Sequence, residues 1–405
     1  METIYKRTVI DELSKYLDTD DIIVLHGARQ VGKTSILLYI RERLNNEGKR
    51  THLIDLEDSR FVKILDAGVG EFITHLREDG VLPSGEKNKV IVFIDEIQYL
   101  KNPSSFLKIA ADHHKNIKLI VSGSSSFAIK SKFRDSLAGR TVNFEVYPLS
   151  FRELLLFKGY HFEEGSQYTR KKTDELKVLF REYALYGGYP KIVLTPDLDR
   201  KEKYLQQIID TYVKKDIRDL ANVKDVEKFN KLLEALASQS GQMLNVTELS
   251  NTTKIAKQTV EKYLFILENT YLLKLIRPFS KNIRSELFRL PKIFFYDTGL
   301  MQMLWLKGLQ KELIGVVFET AVFSELVKKY DQNAVFYWRT KDKREIDFIL
   351  KVRNSILPIE VKLNFGQFKP STIQYFNSHY GIKRYNAVGL NGERKNEFYL
   401  HPWDV

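Results

Sequence analysis

A glycine loop near the amino terminus has the residue types and the spacing that hold the phosphates of a nucleotide. Between a short apolar strand and an amphipathic helix the chain reads Gly27-Ala28-Arg29-Gln30-Val31-Gly32-Lys33-Thr34-Ser35, which matches G-x-x-x-x-G-K-[ST] at every fixed position. Its backbone N–H groups would surround the phosphates at the positive end of the helix. Lys33 would reach the β- and γ-phosphates, and Thr34 would bind Mg²⁺. The loop predicts ATP and Mg²⁺ as cofactors.

A pair of acidic residues follows a second apolar run. Val90 to Ile94 form a continuous hydrophobic segment that ends in Asp95 and Glu96, as expected of a parallel strand buried on both faces. Ligands bind beyond the carboxyl ends of such strands. Asp95 is then placed to hold Mg²⁺, and Glu96 to orient and deprotonate a water molecule. A solvated acidic turn is the alternative. Glu96 favours hydrolysis over transfer of phosphate to a small molecule.

Two further residues are weaker candidates for contact with the nucleotide. A third apolar run, NIKLIV, ends in a serine-rich stretch that includes Ser124; a polar group there could sense the γ-phosphate, and a plain turn explains the same residues. Arg140, in SLAGRTV, could contact a nucleotide phosphate of its own chain or of a neighbouring subunit. A surface arginine before a strand is an equally good explanation.

A second set of chemical residues lies near the carboxyl end. Two strand-like runs, REIDFILKV and ILPIEVKL, carry Asp347, Glu360 and Lys362, and Glu360 and Lys362 share a face because they are two residues apart. If the strands pair, Asp347 and Glu360 can converge on one divalent cation, with Lys362 beside them and Glu319 on the preceding helix as a further ligand. Mg²⁺ requires such oxygen ligands and can activate water against a phosphodiester. The alternative is two amphipathic strands with charged residues on their solvated face.

The middle of the chain reads as helical. Apolar residues recur at i, i+3 and i+4 through residues 151–235, which predicts a helical lid or connector. Val246 to Asn251, a turn through Lys254, and Ala256 to Glu268 then suggest a winged helix-turn-helix. Its second helix would begin with residue types that contact DNA, namely Lys254, Lys257, Gln258 and Thr259. A winged helix that binds a protein partner is an equal alternative.

Composition limits the class of protein. The chain has 405 residues, 43% of them hydrophobic, with no cysteine and a formal net charge of +12. No apolar run reaches the length of a membrane span, and no secretory segment is recognisable, so we expect a folded cytoplasmic protein without disulfides. Lys and Arg exceed Asp and Glu by only 1 in residues 1–150, but by 6 in residues 151–290 and by 5 in residues 291–405. The basic excess is compatible with DNA or RNA as a partner.

Several segments together resemble a known family. The motifs HGARQVGKTS, IVFIDEIQ, SGSSS, LAGR, YPLSFREL, YGGYP, YVKKDIRDL, PKIFFYDTGL and EIDFIL…IEVK occur in this order. In this combination the chain resembles bacterial and archaeal AAA-type ATPases that carry a carboxy-terminal restriction-endonuclease-like domain of unknown function. The resemblance implies ATP binding, hydrolysis and an undefined role that involves DNA. The Asp…Glu-x-Lys set resembles the PD-(D/E)XK nuclease core.

These observations predict an α/β protein of four domains: a P-loop AAA-type ATPase (1–150), a helical lid or connector (151–235), a winged helix-turn-helix (236–290) and a restriction-endonuclease-like α/β domain (291–405). The leading functional hypothesis is an ATPase whose nuclease-like domain engages nucleic acid. The alternative is a nucleotide-dependent switch that binds a protein partner and keeps the nuclease-like fold as a catalytically silent scaffold. A homo-oligomer would allow Arg140 to act on a neighbouring subunit.

Overall fold

The computed structural model describes residues 5–82, 89–123, 137–218, 222–280 and 290–405. The chain divides into two compact units, Met1–Tyr147 and Pro148–Val405, and this division lies close to the predicted boundary at 150. Within the described ranges, each helix is too short or too polar to span a lipid bilayer.

The amino-terminal unit is built on five strands with helices between them. The strands are β1 (Ile22–Gly27), β2 (Thr51–Asp55), β3 (Val90–Asp95), β4 (Ile117–Gly123) and β5 (Thr141–Val146). The helices are α1 (Val9–Ser14), α2 (Lys33–Asn46), α3 (Ser59–Asp66), α4 (Val69–Glu78) and α5 (Pro103–His113), with a 3₁₀ turn at Ile97–Tyr99.

The five strands form one parallel sheet in the order β2-β3-β4-β1-β5. Every residue of β1, β3 and β4 is buried, because helices cover both faces, as parallel sheets require. Helix α2 contributes Ile36, Leu37, Ile40 and Leu44, spaced as an apolar stripe on one side of a helix. The three apolar runs predicted as strands are therefore confirmed. Their carboxyl ends meet at one edge of the sheet.

The carboxy-terminal unit combines helices with two sheets. Its helices are α6 (Phe151–Phe157), α7 (Arg170–Tyr186), α8 (Pro190–Leu194), α9 (Leu198–Ile208) with a π-helical continuation (Ile209–Ile217), α10 (Val226–Ser238), α11 (Val246–Thr253), α12 (Lys257–Asn269), α13 (Thr298–Leu306), α14 (Gly315–Lys329) and α15 (Ser371–Tyr380). Its strands are β6 (Leu273–Ile276), β7 (Lys292–Phe295), β8 (Val335–Arg339), β9 (Glu345–Val352), β10 (Ser355–Asn364), β11 (Asn386–Asn391) and β12 (Tyr399–Leu400).

Three sequence motifs meet inside this unit around the buried carboxylate of Asp297. Gly188 N donates to Asp297 Oδ2 at 2.7 Å, and Leu300 N donates to Asp297 Oδ1 at 2.9 Å. Leu149 N donates to Gly188 O at 2.6 Å. One backbone hydrogen bond thus joins YPLSFREL to YGGYP, and the carboxylate of Asp297 joins YGGYP to PKIFFYDTGL. Burial raises the pKa of Asp297, although these N–H groups oppose the shift.

Helix α6 begins with a capping box, as its sequence SFRE suggests. Ser150 Oγ accepts from Glu153 N at 3.2 Å, and Glu153 Oε2 accepts from Ser150 N at 3.0 Å. The ring of Phe151 then packs on Phe180, with centroids 5.0 Å apart, and on Trp403, at 6.0 Å. The helical segment and the end of the chain therefore share one core.

Helices α11 and α12 occupy the positions predicted for the two helices of the motif, with Lys254 in a left-handed conformation (φ 57°) between them. Helix α11 continues to Thr253, two residues past its predicted end at Asn251. Strand β6 follows and pairs antiparallel with β7. The predicted boundary at 290/291 therefore falls between two paired strands.

The last sheet has the order β12-β11-β10-β9-β8. Strand β10 pairs antiparallel with β9 and parallel with β11, so the pairing expected of the two charged strands is confirmed. Helix α14 packs on β10. One core of this sheet centres on Ile346, Ile349, Phe365 and Phe376.

We expect Gly188→Ala to destabilise the carboxy-terminal unit. A Cβ at this position would lie 2.3 Å from Leu149 O and 3.2 Å from a ring carbon of Tyr183, and overpacking of this kind costs about 1–3 kcal/mol. The measurement is thermal or urea unfolding followed by circular dichroism. Gly315→Ala is the matched control, because a Cβ there meets no atom within 4 Å. Equal stability of the two variants would contradict the packing.

Candidate functional site

The phosphate loop leaves the sheet at the carboxyl end of β1. A Cβ on Gly27 would lie 2.2 Å from Val146 O on the neighbouring strand β5, so only glycine fits where the two strands run this close. The loop then continues into α2, whose first residue is Lys33 and whose preceding residue Gly32 has a left-handed backbone (φ 96°). The loop, the strand before it and the helix after it are arranged as the sequence predicts.

A buried arginine outside the loop fixes the loop's position. Arg7 Nη1 donates to Val31 O at 2.7 Å, and Arg7 Nη2 donates to Tyr147 O at 2.9 Å. Arg7 is 5% exposed. It therefore ties the phosphate loop to the segment that follows β5. The sequence carries no motif around Arg7 that would reveal this role.

Lys33 is buried, and its ammonium group faces the carbonyls of its own loop. Lys33 Nζ donates to Ala28 O at 2.8 Å and to Gly27 O at 3.2 Å. Burial lowers the pKa of Lys33 to about 8, against the opposing effect of Glu96 and Asp95. The nearby negative groups thus favour the charged form that binding a phosphate requires.

The carboxylate of Asp95 connects the ends of three strands. Thr34 Oγ1 donates to Asp95 Oδ2 at 2.6 Å, and Ser122 Oγ donates to Asp95 Oδ1. Thr34 is the second residue of the helix after β1, Asp95 ends β3 and Ser122 lies near the end of β4. A hydroxyl and a carboxylate are oxygen donors of the kind that Mg²⁺ prefers. The pair Thr34 and Asp95 fits the predicted metal site.

Glu96 adjoins this group in an unusual backbone conformation. Its φ is 56°, a left-handed value that is uncommon for residues other than glycine and costs free energy. Glu96 N donates to Asp95 Oδ1 at 3.1 Å and to Ser122 Oγ at 3.3 Å, and Gln98 Nε2 donates to Glu96 Oε2. These contacts fix the backbone of Glu96 beside Asp95 and Ser122 and hold its carboxylate against Gln98.

Arg140 lies at the amino ends of β1 and β5, opposite the end where the phosphate loop begins. Ile22 N, at the start of β1, donates to Arg140 O at 2.8 Å, whereas the phosphate loop begins at Gly27, about 17 Å further along an extended strand. Its guanidinium group is paired with Asp112, at 2.7 Å for Nε and 3.2 Å for Nη2. The prediction that Arg140 contacts the nucleotide of its own chain is therefore wrong. Contact with the nucleotide of a neighbouring subunit and a surface arginine before a strand both stay open, and the pair with Asp112 agrees with the second.

The serine-rich run after β4 is only partly described. Ser124 lies outside the described residues. Ser122, two positions earlier, is the serine that contacts Asp95.

The carboxy-terminal acids and lysines form a second polar cluster. Lys362 Nζ lies 2.7 Å from Glu360 Oε1 and 3.2 Å from Asp347 Oδ2, and Asp347 Oδ2 also accepts from Val361 N at 2.7 Å. Strands β9 and β10 thus bring Asp347, Glu360 and Lys362 together, as the sequence predicts.

Glu319 on α14 belongs to the same polar region through a lysine that the sequence analysis missed. Lys292 Nζ lies 3.7 Å from Glu319 Oε1 and 2.5 Å from Glu345 Oε1, and Lys292 is only 3% exposed. A lysine that opens the otherwise apolar strand KIFF was the available signal. Among the described residues, Glu319, Asp347 and Glu360 are not a group whose ligand atoms all lie within 4.8 Å of one another.

Burial strongly affects the charges of this cluster. Burial and then the charge of Asp347 raise the pKa of Glu319 and of Glu360 well above the ordinary value of a glutamate, although Lys292 and Lys362 oppose the shifts. Burial would lower the pKa of Lys362, but Asp347 and Glu360 together raise it. Glu319 Oε1 and Glu360 Oε2 are buried without a hydrogen-bond partner. Such oxygens are suited to a cation.

The residues proposed to contact DNA lie at the surface of the helix-turn-helix. Lys254, Lys257 and Gln258 are exposed, and Thr259 is half-buried. They occupy the turn and the first turn of α12. The winged-helix assignment stays a prediction.

Three family models match consecutive parts of the chain. Residues 19–155 match the model described as "AAA domain". Residues 177–312 match "Domain of unknown function (DUF8612)", and residues 314–399 match "Domain of unknown function (DUF4143)".

Relatives of similar length occur in bacteria and archaea. An uncharacterised protein of Haemophilus influenzae is 29% identical over 88% of this chain and 86% of its own length. An uncharacterised protein of Methanocaldococcus jannaschii is 26% identical over 88% of this chain and 78% of its own length.

Two solved structures are distant matches to the chain. RuvB of Thermotoga maritima has a TM-score of 0.33 at 16% identity and covers 67% of this chain and 90% of its own. The ORC2 protein of Aeropyrum pernix has a TM-score of 0.35 at 11% identity and covers 66% of this chain and 84% of its own. Similarity at this level carries no functional argument. The family match over residues 19–155, together with the geometry of the phosphate loop, Thr34 and Asp95, identifies the amino-terminal unit as an AAA-type P-loop nucleotide-binding domain.

Proposed function

We propose that this protein hydrolyses ATP in its amino-terminal unit and engages nucleic acid through its carboxy-terminal unit. The observation that carries the proposal is the contact of Thr34 and Ser122 with the two oxygens of Asp95, with Glu96 beside them. A phosphate loop alone binds nucleotide. A carboxylate next to the metal-binding pair adds a group that can take a proton from water.

The residues of the phosphate loop have separate roles in this reaction. Lys33 leaves the carbonyls of Gly27 and Ala28 to contact the β- and γ-phosphates, and the N–H groups of the loop bind the same phosphates. Thr34 and Asp95 hold Mg²⁺, which neutralises charge on the transferred phosphoryl group. Glu96 accepts the proton of the attacking water, and its hydrogen bond from Gln98 orients it.

A divalent cation at the second cluster is supported by two buried carboxylate oxygens. Glu360 Oε2 is without a hydrogen bond, and Glu319 Oε1 has none either, although it lies 3.7 Å from Lys292 Nζ; a buried oxygen in this condition is costly unless another ligand is bound. Asp347, Glu360 and Lys362 occupy adjacent positions on paired strands and Glu319 the preceding helix, in the order expected of a PD-(D/E)XK-type site. We propose a restriction-endonuclease-like domain here.

Contact with nucleic acid is supported by the exposed residues of the helix-turn-helix. Lys254, Lys257 and Gln258 present donors at the start of its second helix, and residues 151–405 carry nearly all of the basic excess. Phosphate contacts by lysines provide affinity without sequence preference.

A second candidate function is a nucleotide-dependent switch with a catalytically silent scaffold. The second cluster already contains three cations for four carboxylates: Lys292, Arg339 and Lys362 against Glu319, Glu345, Asp347 and Glu360. Such internal pairing favours a stable polar core over a metal centre, because each of the four carboxylates already has a lysine or an arginine within 4 Å. Protein partners would then replace nucleic acid.

We expect Glu96→Gln to bind ATP but to lose hydrolysis by about 10²- to 10⁴-fold, the usual contribution of a general base. Lys33→Ala should lose both, because it removes the phosphate ligand. The measurements are ATP turnover and binding of a fluorescent nucleotide. Glu71→Gln removes an exposed carboxylate from α4 in the same unit and should behave as the parent protein. Turnover that persists in Lys33→Ala would refute the assignment of the loop.

Asp347→Ala and Glu360→Ala should each reduce Mg²⁺- or Mn²⁺-dependent cleavage of DNA or RNA by about 10²-fold or more, since loss of a metal ligand costs at least as much as loss of a group that orients one. Circular dichroism checks that the variants fold. Glu393→Ala, an exposed carboxylate of the same unit, is the control. No cleavage by the parent protein and no Mn²⁺ binding would favour the switch; cleavage unchanged in both variants would place the activity elsewhere.

Single- or double-stranded DNA should stimulate ATP turnover at moderate salt, and the stimulation should disappear at high salt because counterions compete for the phosphates. The logarithm of the DNA-binding constant falls linearly with the logarithm of the salt concentration. Replacing Lys254 and Lys257 by Gln should make this slope shallower by about one unit for each DNA phosphate that a lysine no longer neutralises.

The control for this experiment changes charge equally on another helix. Lys228 and Lys231 on α10 are paired with Asp225 and Glu227, so their double replacement by Gln should leave DNA stimulation in place. Equal loss in both double variants would indicate an effect of net charge alone. No response to any nucleic acid would favour the switch.

A further inference from the structure

Three side chains with metal-ligand chemistry meet on the amino-terminal unit at a place that the proposed function does not use. His52 lies on the edge strand β2, His75 on α4, and Asp79 directly after that helix. Their ligand atoms all lie within 4.8 Å of one another. Among the described residues, no other set of three or more His, Cys, Asp and Glu side chains meets this distance.

Hydrogen bonds do not explain the arrangement. His75 Nε2 lies 3.6 Å and His52 Nε2 lies 3.9 Å from the same oxygen, Asp79 Oδ2. Both distances exceed the 2.7–3.2 Å typical of an N–H···O bond. Both nitrogens are buried and have no hydrogen-bond partner, a costly condition for polar atoms. Two imidazole nitrogens are therefore directed at one carboxylate oxygen without bonding to it.

The separations are close to those of ligands around a tetrahedral metal ion. Bonds of 2.0–2.1 Å from zinc to imidazole nitrogen and carboxylate oxygen place neighbouring ligand atoms about 3.4 Å apart. The two observed separations from Asp79 Oδ2, 3.6 and 3.9 Å, exceed this value by a few tenths of an ångström, and the ligand atoms of the two histidines lie within 4.8 Å of each other. Imidazole ligands favour Zn²⁺ and other late transition metals over Mg²⁺. We propose that His52, His75 and Asp79 form a binding site for Zn²⁺ or a chemically similar ion, with a fourth position left for water.

The surroundings of the site act in both directions. Burial lowers the pKa of His52, and the neighbouring charges of His75 and Arg41 act in the same direction, while Asp79 opposes the shift. The neutral imidazole is the form that binds metal. The cationic Arg41 weakens binding of a dication, and the carboxylate of Asp79 compensates for that charge.

The site is distant from the nucleotide. Strands β3 and β4 separate β2 from β1 in the sheet, a lateral distance of about 14 Å. A metal here joins an edge strand to a helix that packs on the same core, since Phe72, Ile73 and Leu76 of α4 belong to the cluster that contains Ile54 of β2. The bound ion would therefore stabilise this side of the sheet.

The test is titration of the untagged full-length protein with Zn²⁺ after removal of metals. Millimolar Mg²⁺ is kept present to occupy the oxygen-ligand sites that involve Thr34, Asp95 and the carboxy-terminal acids. We expect one ion per chain, a rise in the thermal unfolding temperature, and a Co²⁺ spectrum of nitrogen and oxygen ligands, since the chain has no cysteine. His52→Gln and His75→Gln should each weaken binding by about 10²-fold or more.

His113→Gln is the matched control, because His113 is exposed on α5 in the same unit; it should bind Zn²⁺ as the parent protein does. Nucleotide binding by each variant checks that the unit is folded. No saturable binding with Zn²⁺ in several-fold excess, or binding that survives both His52→Gln and His75→Gln, would overturn the proposal. The proposal would also be overturned if the protein were stabilised at acid pH in the absence of metal and this stabilisation required both histidines. That result indicates an ion pair of the protonated histidines with Asp79.

Discussion

The carboxylate of Asp95 is the contact on which the amino-terminal site depends. Its two oxygens accept hydrogen bonds from Thr34 and Ser122, so one side chain connects the helix after β1 with the ends of β3 and β4. The parallel order of the sheet brings these three ends to one edge, and full burial of the strands keeps them there. The backbone of Glu96 is strained. It is tolerated because its N–H donates both to Asp95 Oδ1 and to Ser122 Oγ, which itself is held by the carboxylate of Asp95.

Three motifs of the family resemblance prove to be structural. YPLSFREL, YGGYP and PKIFFYDTGL meet around Asp297, which accepts the N–H groups of Gly188 and Leu300. Glu325 adds a hydrogen bond from Phe151 N at 3.0 Å. None of these contacts offers a group to a substrate, because the groups satisfy one another in the interior. These three motifs therefore describe how the carboxy-terminal unit is built, and its chemistry has to be argued from other residues.

Sequence reasoning succeeded where fixed spacing and a neighbouring apolar run occur together. This holds for the phosphate loop, for Asp95 and for the pairing of β9 with β10. It failed where distant segments meet: Arg7 contacts Val31 across 24 residues, and His52 and His75 carry no motif. The contact of Ser122 with Asp95 was not predicted either, because a run of serines does not indicate where the strand ends, and the prediction for Ser124 stays a prediction. The prediction that Arg140 contacts the nucleotide of its own chain was a different error. A residue that precedes a strand of a parallel sheet lies at the amino ends of the strands, away from the phosphate loop, and this could have been deduced from the sequence.

The two polar sites differ in how the protein balances their charge. At the amino-terminal site, Asp95 is held by neutral hydroxyls, and Lys33 donates to carbonyls; both charges remain for a nucleotide and its metal ion. At the carboxy-terminal cluster, Lys362 and Lys292 contact the carboxylates directly. A cation that binds there has to displace or share these lysines, and the displaced ammonium group would then face an incoming phosphate. Action on a phosphodiester thus requires Lys362 to exchange its carboxylate partner for a phosphate. The Glu360 oxygen without a hydrogen bond favours this exchange, because it gives the cation a first ligand.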